Sequence, residues 1–408
     1  MSATTEKPAS ATTIRPFTTP VTPETELEAL RARITATRWP DPELVADFSQ
    51  GVQQSVTQEL ARYWAAEYDM RRCERRVSAL PNFVTEIDGL DIHFIHVRSP
   101  HENALPVIIT HGWPGSVIEL LNVIDPLTNP TAHGATAADA FDVVIPSMPG
   151  YGYSGKPREL GWGPDRIARA WDTLMKRLGY ARYVAQGGDW GAIITDLMGV
   201  QAPQGLLGIH SNMAGVVPPE IWLSLVRNVF GAGDPPPPGL SEEESRTLDQ
   251  LNYFFTTGVG YGVQMGTRPQ TMYGLADSPV NLAAWMINHD ASSYADIAEA
   301  FAGRPVGGLT RDEVLDNVTF TWLTNTGVSS ARLYWENKVG FFDVKGVSIP
   351  AAVSAFANEI YKAPRSWAEK AYPKLIYFNQ LDRGNHFAAW QEPALFSAEL
   401  RSAFRSLR

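Results

Sequence analysis

Apolar positions along the chain change rhythm twice, and each rhythm predicts a different kind of element. Up to about residue 80 they recur at helical spacing: Leu27, Leu30 and Ile34 within 17–39, a stretch stopped by Trp39-Pro40, then Leu60, Trp64 and Tyr68 within 56–77. Both stretches read as amphipathic helices lying on a larger body. The spacing then turns to that of strands, with β-rich runs at 83–87 and 90–97 separated by Asp88-Gly89, the strongest short hairpin signal. From Pro106 onward, short apolar runs alternate with helical stretches: Val107-Ile108-Ile109, Val143-Val144-Ile145, Tyr183-Val184-Ala185 and residues 206–209. That alternation predicts an α/β fold with a mostly parallel, doubly wound sheet. Beyond Met213 it breaks into an aromatic, proline-rich region that includes Pro235 to Pro238 and reads as an inserted cap. Strand character returns at 349–356 and 374–378, and 394–407 reads as a closing helix. The expected organisation is a disordered Ser/Thr/Ala-rich tail (1–13), a helical extension (14–80), a first core segment (81–213), a helical cap (214–340) and a second core segment (341–408).

Composition narrows the class. The 408 residues exceed what one hydrophobic core usually organises, in keeping with a large domain carrying an insertion. A net charge of −10 with no basic stripe argues against a nucleic-acid partner, and no window approaches the ~18 continuous apolar residues of a membrane span. The N-terminal stretch lacks the apolar core of a signal peptide. Cys73, the single cysteine, permits no internal disulfide, so a soluble, cytoplasmic protein is expected.

Candidate chemistry centres on Gly187-Gly188-Asp189-Trp190-Gly191, between the buried run ending at Ala185 and a helical pattern through Ile193, Ile194, Leu197 and Met198. A carboxylate between glycines at a strand-to-helix turn is the arrangement of a nucleophile elbow, with Asp in the usual place of Ser. Read alone, the pentapeptide is more readily a glycine-rich turn with a capping Asp, and context has to overturn that. Two other segments favour the elbow. His111-Gly112-Trp113-Pro114-Gly115-Ser116 follows an early buried strand, where the Trp113 amide would pair with that of Trp190 as an oxyanion hole. Arg383-Gly384-Asn385-His386-Phe387 puts a histidine after the last strand, the expected place of a general base. The other histidines, His289 among them, lie in the loop or strands above or have no motif around them and read as surface or structural. Glu359, after the penultimate strand, fits the acid that orients His386, with Asp382 as its rival and a loop cap by position.

With these segments the chain resembles epoxide hydrolases of the microsomal and juvenile-hormone type, on the α/β-hydrolase fold. The resemblance rests on Thr37-Arg38-Trp39-Pro40, the run from Ile87 to His96, and the segments HGWPGS, GGDWG and HFAA. It implies Asp189 as nucleophile, His386 as base and Glu359 as acid, the last within Ala355-Phe356-Ala357-Asn358-Glu359. It also nominates two cap tyrosines: Tyr261, in Gly260-Tyr261-Gly262-Val263-Gln264, and Tyr334, in Arg332-Leu333-Tyr334-Trp335-Glu336-Asn337. Asn385 stands where the family commonly has Gly, a change that Asn's tolerance of left-handed backbone would absorb. Met70 stands where it often has Trp. The resemblance is to the soluble bacterial and fungal members, so the membrane anchor of the microsomal ones is not expected, and a homodimer is expected from those soluble members.

The reaction so implied opens an epoxide to a vicinal diol through an ester on Asp189, with no cofactor or metal. The partner is expected to be a small-molecule epoxide, and aromatic residues of the cap (Tyr253, Phe254, Phe255, Trp285) suit a bulky or aryl one or, equally, pack a cap core. Two alternatives stay open. A haloalkane dehalogenase uses the same Asp nucleophile, with Trp113 and Trp190 available as halide donors, and a non-catalytic ligand-binding protein on this fold would be expected to show a broken triad.

Overall fold

The computed structural model describes residues 13–229, 231 and 235–408. The predicted tail therefore lies, apart from Thr13, outside the described residues. A nine-stranded sheet runs β1 (Arg15–Pro16), β2 (Asn82–Ile87), β3 (Leu90–Val97), β5 (Phe141–Pro146), β4 (Leu105–Thr110), β6 (Tyr183–Gly187), β7 (Leu206–Ser211), β8 (Ala351–Ala355) and β9 (Leu375–Gln380). The first four neighbours pair antiparallel, and from β5 to β9 every pairing is parallel. This is the α/β-hydrolase fold. The β2–β3 hairpin closes through Asp88 and Gly89, both at positive φ (50° and 79°), as a two-residue Asp-Gly turn requires.

Successive residues of the central strands feed opposite faces. Ile108 and Val144 join Trp171, Leu174 and Ile194 on one side, while Val107, Ile109, Val143 and Ile145 join Val123, Phe396 and Leu400 on the other. A third apolar cluster joins the N-terminal helices to those between β7 and β8: Leu27, Leu30, Leu60 and Trp64 pack with Leu282, Met286, Leu315 and Val318. Arg76 adds ion pairs of 2.8 Å to Glu313 and 2.6 Å to Asp316, and the Tyr68 hydroxyl donates to Asp316 at 2.6 Å. The extension is thus fastened to the segment that roofs the sheet. Met70, buried in this cluster, fills the position where the resemblance often shows Trp.

Some element bounds differ from those expected. The helix predicted over 56–77 is two, Gln54–Ala66 and Arg72–Ser78. Asp69 divides them: its side chain accepts the Arg71 amide (3.0 Å) and its carbonyl accepts the Arg72 amide (2.8 Å), a local turn that competes with the helix. The first helix is confined to Glu24–Thr35, because residues upstream form β1 and approach it through Pro23. The closing stretch is a short helix, Ala388–Gln391, followed by Pro393–Ala403 and a turn of 3₁₀ helix.

Candidate active site

β4 and β6 are adjacent parallel strands, and the chain crosses to opposite sides of β4 on leaving it for β5 and β6. Such a reversal leaves a crevice beyond the carboxyl ends of the strands. Asp189 sits there, directly after β6, with φ 50° and ψ −126°, a strained conformation for a residue bearing a side chain. Glycines let the surrounding backbone close in: a Cβ on Gly187 would collide with the Gly191 carbonyl, one on Gly191 with Thr110, and one on Gly112 with Asp189 itself. The carboxylate is buried, and its Oδ1 accepts the Trp113 amide at 2.6 Å. Trp190 opens the helix Trp190–Gln201, so its amide belongs to the first-turn N–H groups that have no intrahelical acceptor.

The other oxygen, Oδ2, lies 3.6 Å from His386 Nε2, while His386 Nδ1 makes a short hydrogen bond to Glu359 Oε1. Backbone pairing brings the two loops together, since the Asn358 amide donates to the Gly384 carbonyl at 2.9 Å. Burial alone would lower the His386 pKa, but the Glu359 and Asp189 carboxylates outweigh it and hold the imidazole well above its usual value. Asp189 responds in the opposite sense. Burial pushes its carboxyl upward, and His386, His289 and the Trp113 amide bring it below the ordinary value. The nucleophile candidate is therefore an anion at neutral pH.

Tyr261 and Tyr334 come from the helices Gly260–Thr267 and Gly327–Glu336, and both rings lean on Trp113. Tyr261 stacks on Trp113 (5.1 Å between centroids, 16°), and Tyr334 stands edge-on to Trp190 (4.6 Å, 86°). Burial first, and then the Asp189 charge, raises the Tyr261 pKa well above normal; Tyr334 is raised by burial, with Tyr261 and Asp189 adding to it. Both phenols stay protonated and are donors. The Tyr334 hydroxyl has no hydrogen-bond partner although it is buried.

An aspartate at the elbow, a His–Glu pair behind it and two phenols near it form the constellation the comparisons speak to. Residues 14–120 match the family described as epoxide hydrolase N terminus, and residues 106–252 match the alpha/beta hydrolase fold. A candidate epoxide hydrolase of Stigmatella aurantiaca is 49% identical over 97% of this chain and 86% of its own length. The chain belongs to the epoxide hydrolases. Epoxide hydrolase 1 of Oryctolagus cuniculus is 34% identical, over 95% of this chain and 88% of that protein. The juvenile hormone epoxide hydrolase of the silkworm Bombyx mori superposes with a TM-score of 0.81 at 29% identity, covering 97% of this chain and 96% of that one.

Every site residue expected from the sequence reaches this crevice of the epoxide hydrolase. Asp382 does not: it is exposed in the turn before Gly384. Asn385 departs from its expected role as a left-handed residue. Gly384 takes that conformation (φ 89°), and Asn385 instead donates to Asp296 at 2.8 Å and accepts the Phe387 amide at 2.9 Å.

Two members of the site had no sequence signal. His289, read as a surface or structural histidine, is buried with Nε2 4.0 Å from Asp189 Oδ2. Glu119, from the turn after HGWPGS, is buried beside Asp189, and burial raises its carboxyl to about 8, so it is mostly neutral at pH 7. Gly115 leaves the room its carboxyl occupies, and Glu119 Oε2 has no hydrogen-bond partner among the described residues. A void of about 20 Å³, large enough for one water, is bordered by Glu119, Asp189, His386, Gln186 and Asn212. A larger cavity of about 350 Å³ opens on the far side, against Tyr261, His289, Glu359 and Phe254, with Phe48 to Gly51 of the extension at its rim. Of the cap aromatics, Phe254 and Tyr253 line it, whereas Phe255 packs on Trp222 and Trp285 borders a separate small void beyond Trp113. Among the described residues, no helix is long and apolar enough to cross a membrane.

Proposed function

We propose that this epoxide hydrolase works through a covalent ester on Asp189. The observation that carries the reading is the unequal environment of the two carboxylate oxygens: Oδ1 is held by the Trp113 amide, while Oδ2 faces His386. Oδ2 attacks a ring carbon, the C–O bond of the epoxide breaks, and Tyr261 or Tyr334 gives its phenolic proton to the departing oxygen. The ester has lost the carboxylate charge that helped raise the His386 pKa, so the imidazolium surrenders its proton to the tyrosinate and becomes a base. Neutral His386 then takes a proton from a water, whose oxygen bonds to Cγ of Asp189 while the carbonyl electron pair moves to Oδ1 between the Trp113 and Trp190 amides. On collapse the Cγ–Oδ2 bond breaks, the His386 imidazolium returns its proton to the departing oxygen, and the diol leaves. The void of about 20 Å³ beside His386 and Asp189 is sized for that water.

A single turnover in heavy-oxygen water tests this order. The first diol carries an unlabelled enzyme oxygen, and the label appears in the Asp189 carboxylate on peptide mapping; label in the first diol and none in Asp189 excludes the ester.

For the acid, Glu359→Gln slows decay of the ester far more than Asp382→Asn, because only Glu359 bonds the His386 imidazole. The reverse ranking in single-turnover decay transfers the role to Asp382. Decay also slows as pH falls, since protonation removes the His386 acceptor.

The substrate we assign is a small-molecule epoxide of bulky or aryl kind: a cavity of about 350 Å³ lies in the range of small-molecule sites, and Phe254 and Tyr253 offer it apolar surface. A reducing cytoplasm is the compartment we assign, because the single cysteine, Cys73, is buried and has no disulfide partner in the chain.

A further inference from the structure

The nucleophile candidate faces two imidazoles of nearly the same build. His386 presents Nε2 at 3.6 Å from Asp189 Oδ2 with a carboxylate on Nδ1, and His289 presents Nε2 at 4.0 Å from the same oxygen with Asp290 Oδ2 on Nδ1 at 3.0 Å. The rings stack at 4.5 Å and 29°, and ligating atoms of Asp189, His289 and His386 all lie within 4.8 Å of one another. Asp290 is itself held in place. It caps the helix Ala291–Phe301, its Oδ1 accepting the Ser293 amide at 2.8 Å, and although burial raises its pKa, His289 brings it down to about 2, so it is an anion. An ionised carboxylate on Nδ1 makes that nitrogen the donor and leaves Nε2 the acceptor.

We propose that His289, oriented by Asp290, is a second proton acceptor for hydrolysis of the Asp189 ester, working beside His386. Among the described residues His289 Nε2 has no hydrogen-bond partner, although it is buried and faces the carboxylate oxygen that would carry the ester. The groups facing the ring are Asp189, Asp290 and His386, with Tyr261 at 4.9 Å, Phe387 at 5.6 Å and Trp113 at 6.0 Å between centroids. The two imidazoles also border different spaces. His386 lines the void of about 20 Å³, whereas His289 lines the larger cavity of about 350 Å³. In the step assigned to it, His289 Nε2 takes a proton from a water of that cavity as the water oxygen bonds to Cγ of Asp189. The carbonyl pair moves to Oδ1, and on collapse the proton passes to the departing diol oxygen. The inference rests on the covalent reading above.

Single-turnover decay of the ester, followed by intact mass after mixing with styrene oxide, separates the two. In His386→Gln the ester forms and then decays slowly, through His289. In His386→Gln/His289→Gln it forms and persists at least ~10-fold longer, a smaller factor than the ~100- to 10,000-fold typical of a fully positioned general base. Equal lifetimes in the two variants overturn the role of His289, whereas absence of any adduct on His386→Gln overturns the covalent reading instead. If the double variant does not alkylate, His386→Gln/Asp290→Asn, which keeps the imidazole and removes only its orienting carboxylate, reads the same decay. A lifetime unchanged from His386→Gln again overturns the proposal, and a lengthened one supports it.

Discussion

Asp189→Asn is expected to abolish turnover outright, while His386→Gln is expected to form the ester at once and then stall on it. The two residues serve successive steps, so their loss has opposite signatures. Asn keeps the size of the side chain and an oxygen for the Trp113 amide, but it has no anionic oxygen with which to open the ring. Gln at 386 keeps the Asp189 carboxylate in place, with Oδ1 on the Trp113 amide and the His289 imidazole still beside Oδ2. It removes the acceptor nearest to the ester, for a loss in hydrolysis of ~100- to 10,000-fold. Intact mass after mixing decides between them: no adduct on Asp189→Asn, and on His386→Gln an adduct of one substrate that peptide mapping places on Asp189. An unmodified His386→Gln, with turnover lost, sinks the covalent mechanism and leaves His386 acting on water at the epoxide directly.

The parts of this site legible in the sequence are those built by short-range pattern. Asp88-Gly89 specifies its turn because both positions need positive φ, and the elbow announces itself because Gly187 and Gly191 are the residues whose side chains the neighbouring backbone would exclude. Chain order alone placed the His386 turn after the last strand and the acid after the one before it. His289 has no such local mark. It lies at the end of the helix Pro279–Ile287, and only the packing of that helix between the extension and the sheet brings its imidazole to Asp189. Glu119 was hidden for the same reason, since a carboxylate in a turn reads as solvated until burial is known. The misplaced left-handed residue at 385 and the helix divided at Asp69 are failures of a different kind. There a side chain's own hydrogen bonds, to Asp296 and to the Arg71 amide, set the backbone against the regional pattern.

The phenols separate epoxide opening from displacement of a halide, and their removal is expected to have the other large effect. Tyr261→Phe and Tyr334→Phe each leave one donor for the epoxide oxygen, so each single variant stays measurably active while forming ester more slowly. The double variant loses both, and the developing alkoxide is then left without its two phenolic donors in a desolvated pocket. Ester formation should fall by the ~100- to 10,000-fold range of general acid catalysis, and by more for the pair than for either alone. Packing gives no competing reason for so large a loss. Phe retains the Tyr261 stack on Trp113 and the edge contact of Tyr334 with Trp190, and the Tyr334 hydroxyl makes no hydrogen bond within the protein that folding would miss. Rapid mixing with styrene oxide, followed by adduct mass against time, measures the step without interference from hydrolysis. A folded double variant that alkylates at the wild-type rate removes Tyr261 and Tyr334 from the chemistry. The indole N–H groups of Trp113 and Trp190 would then be the donors to test, with halide release from a haloalkane as the readout.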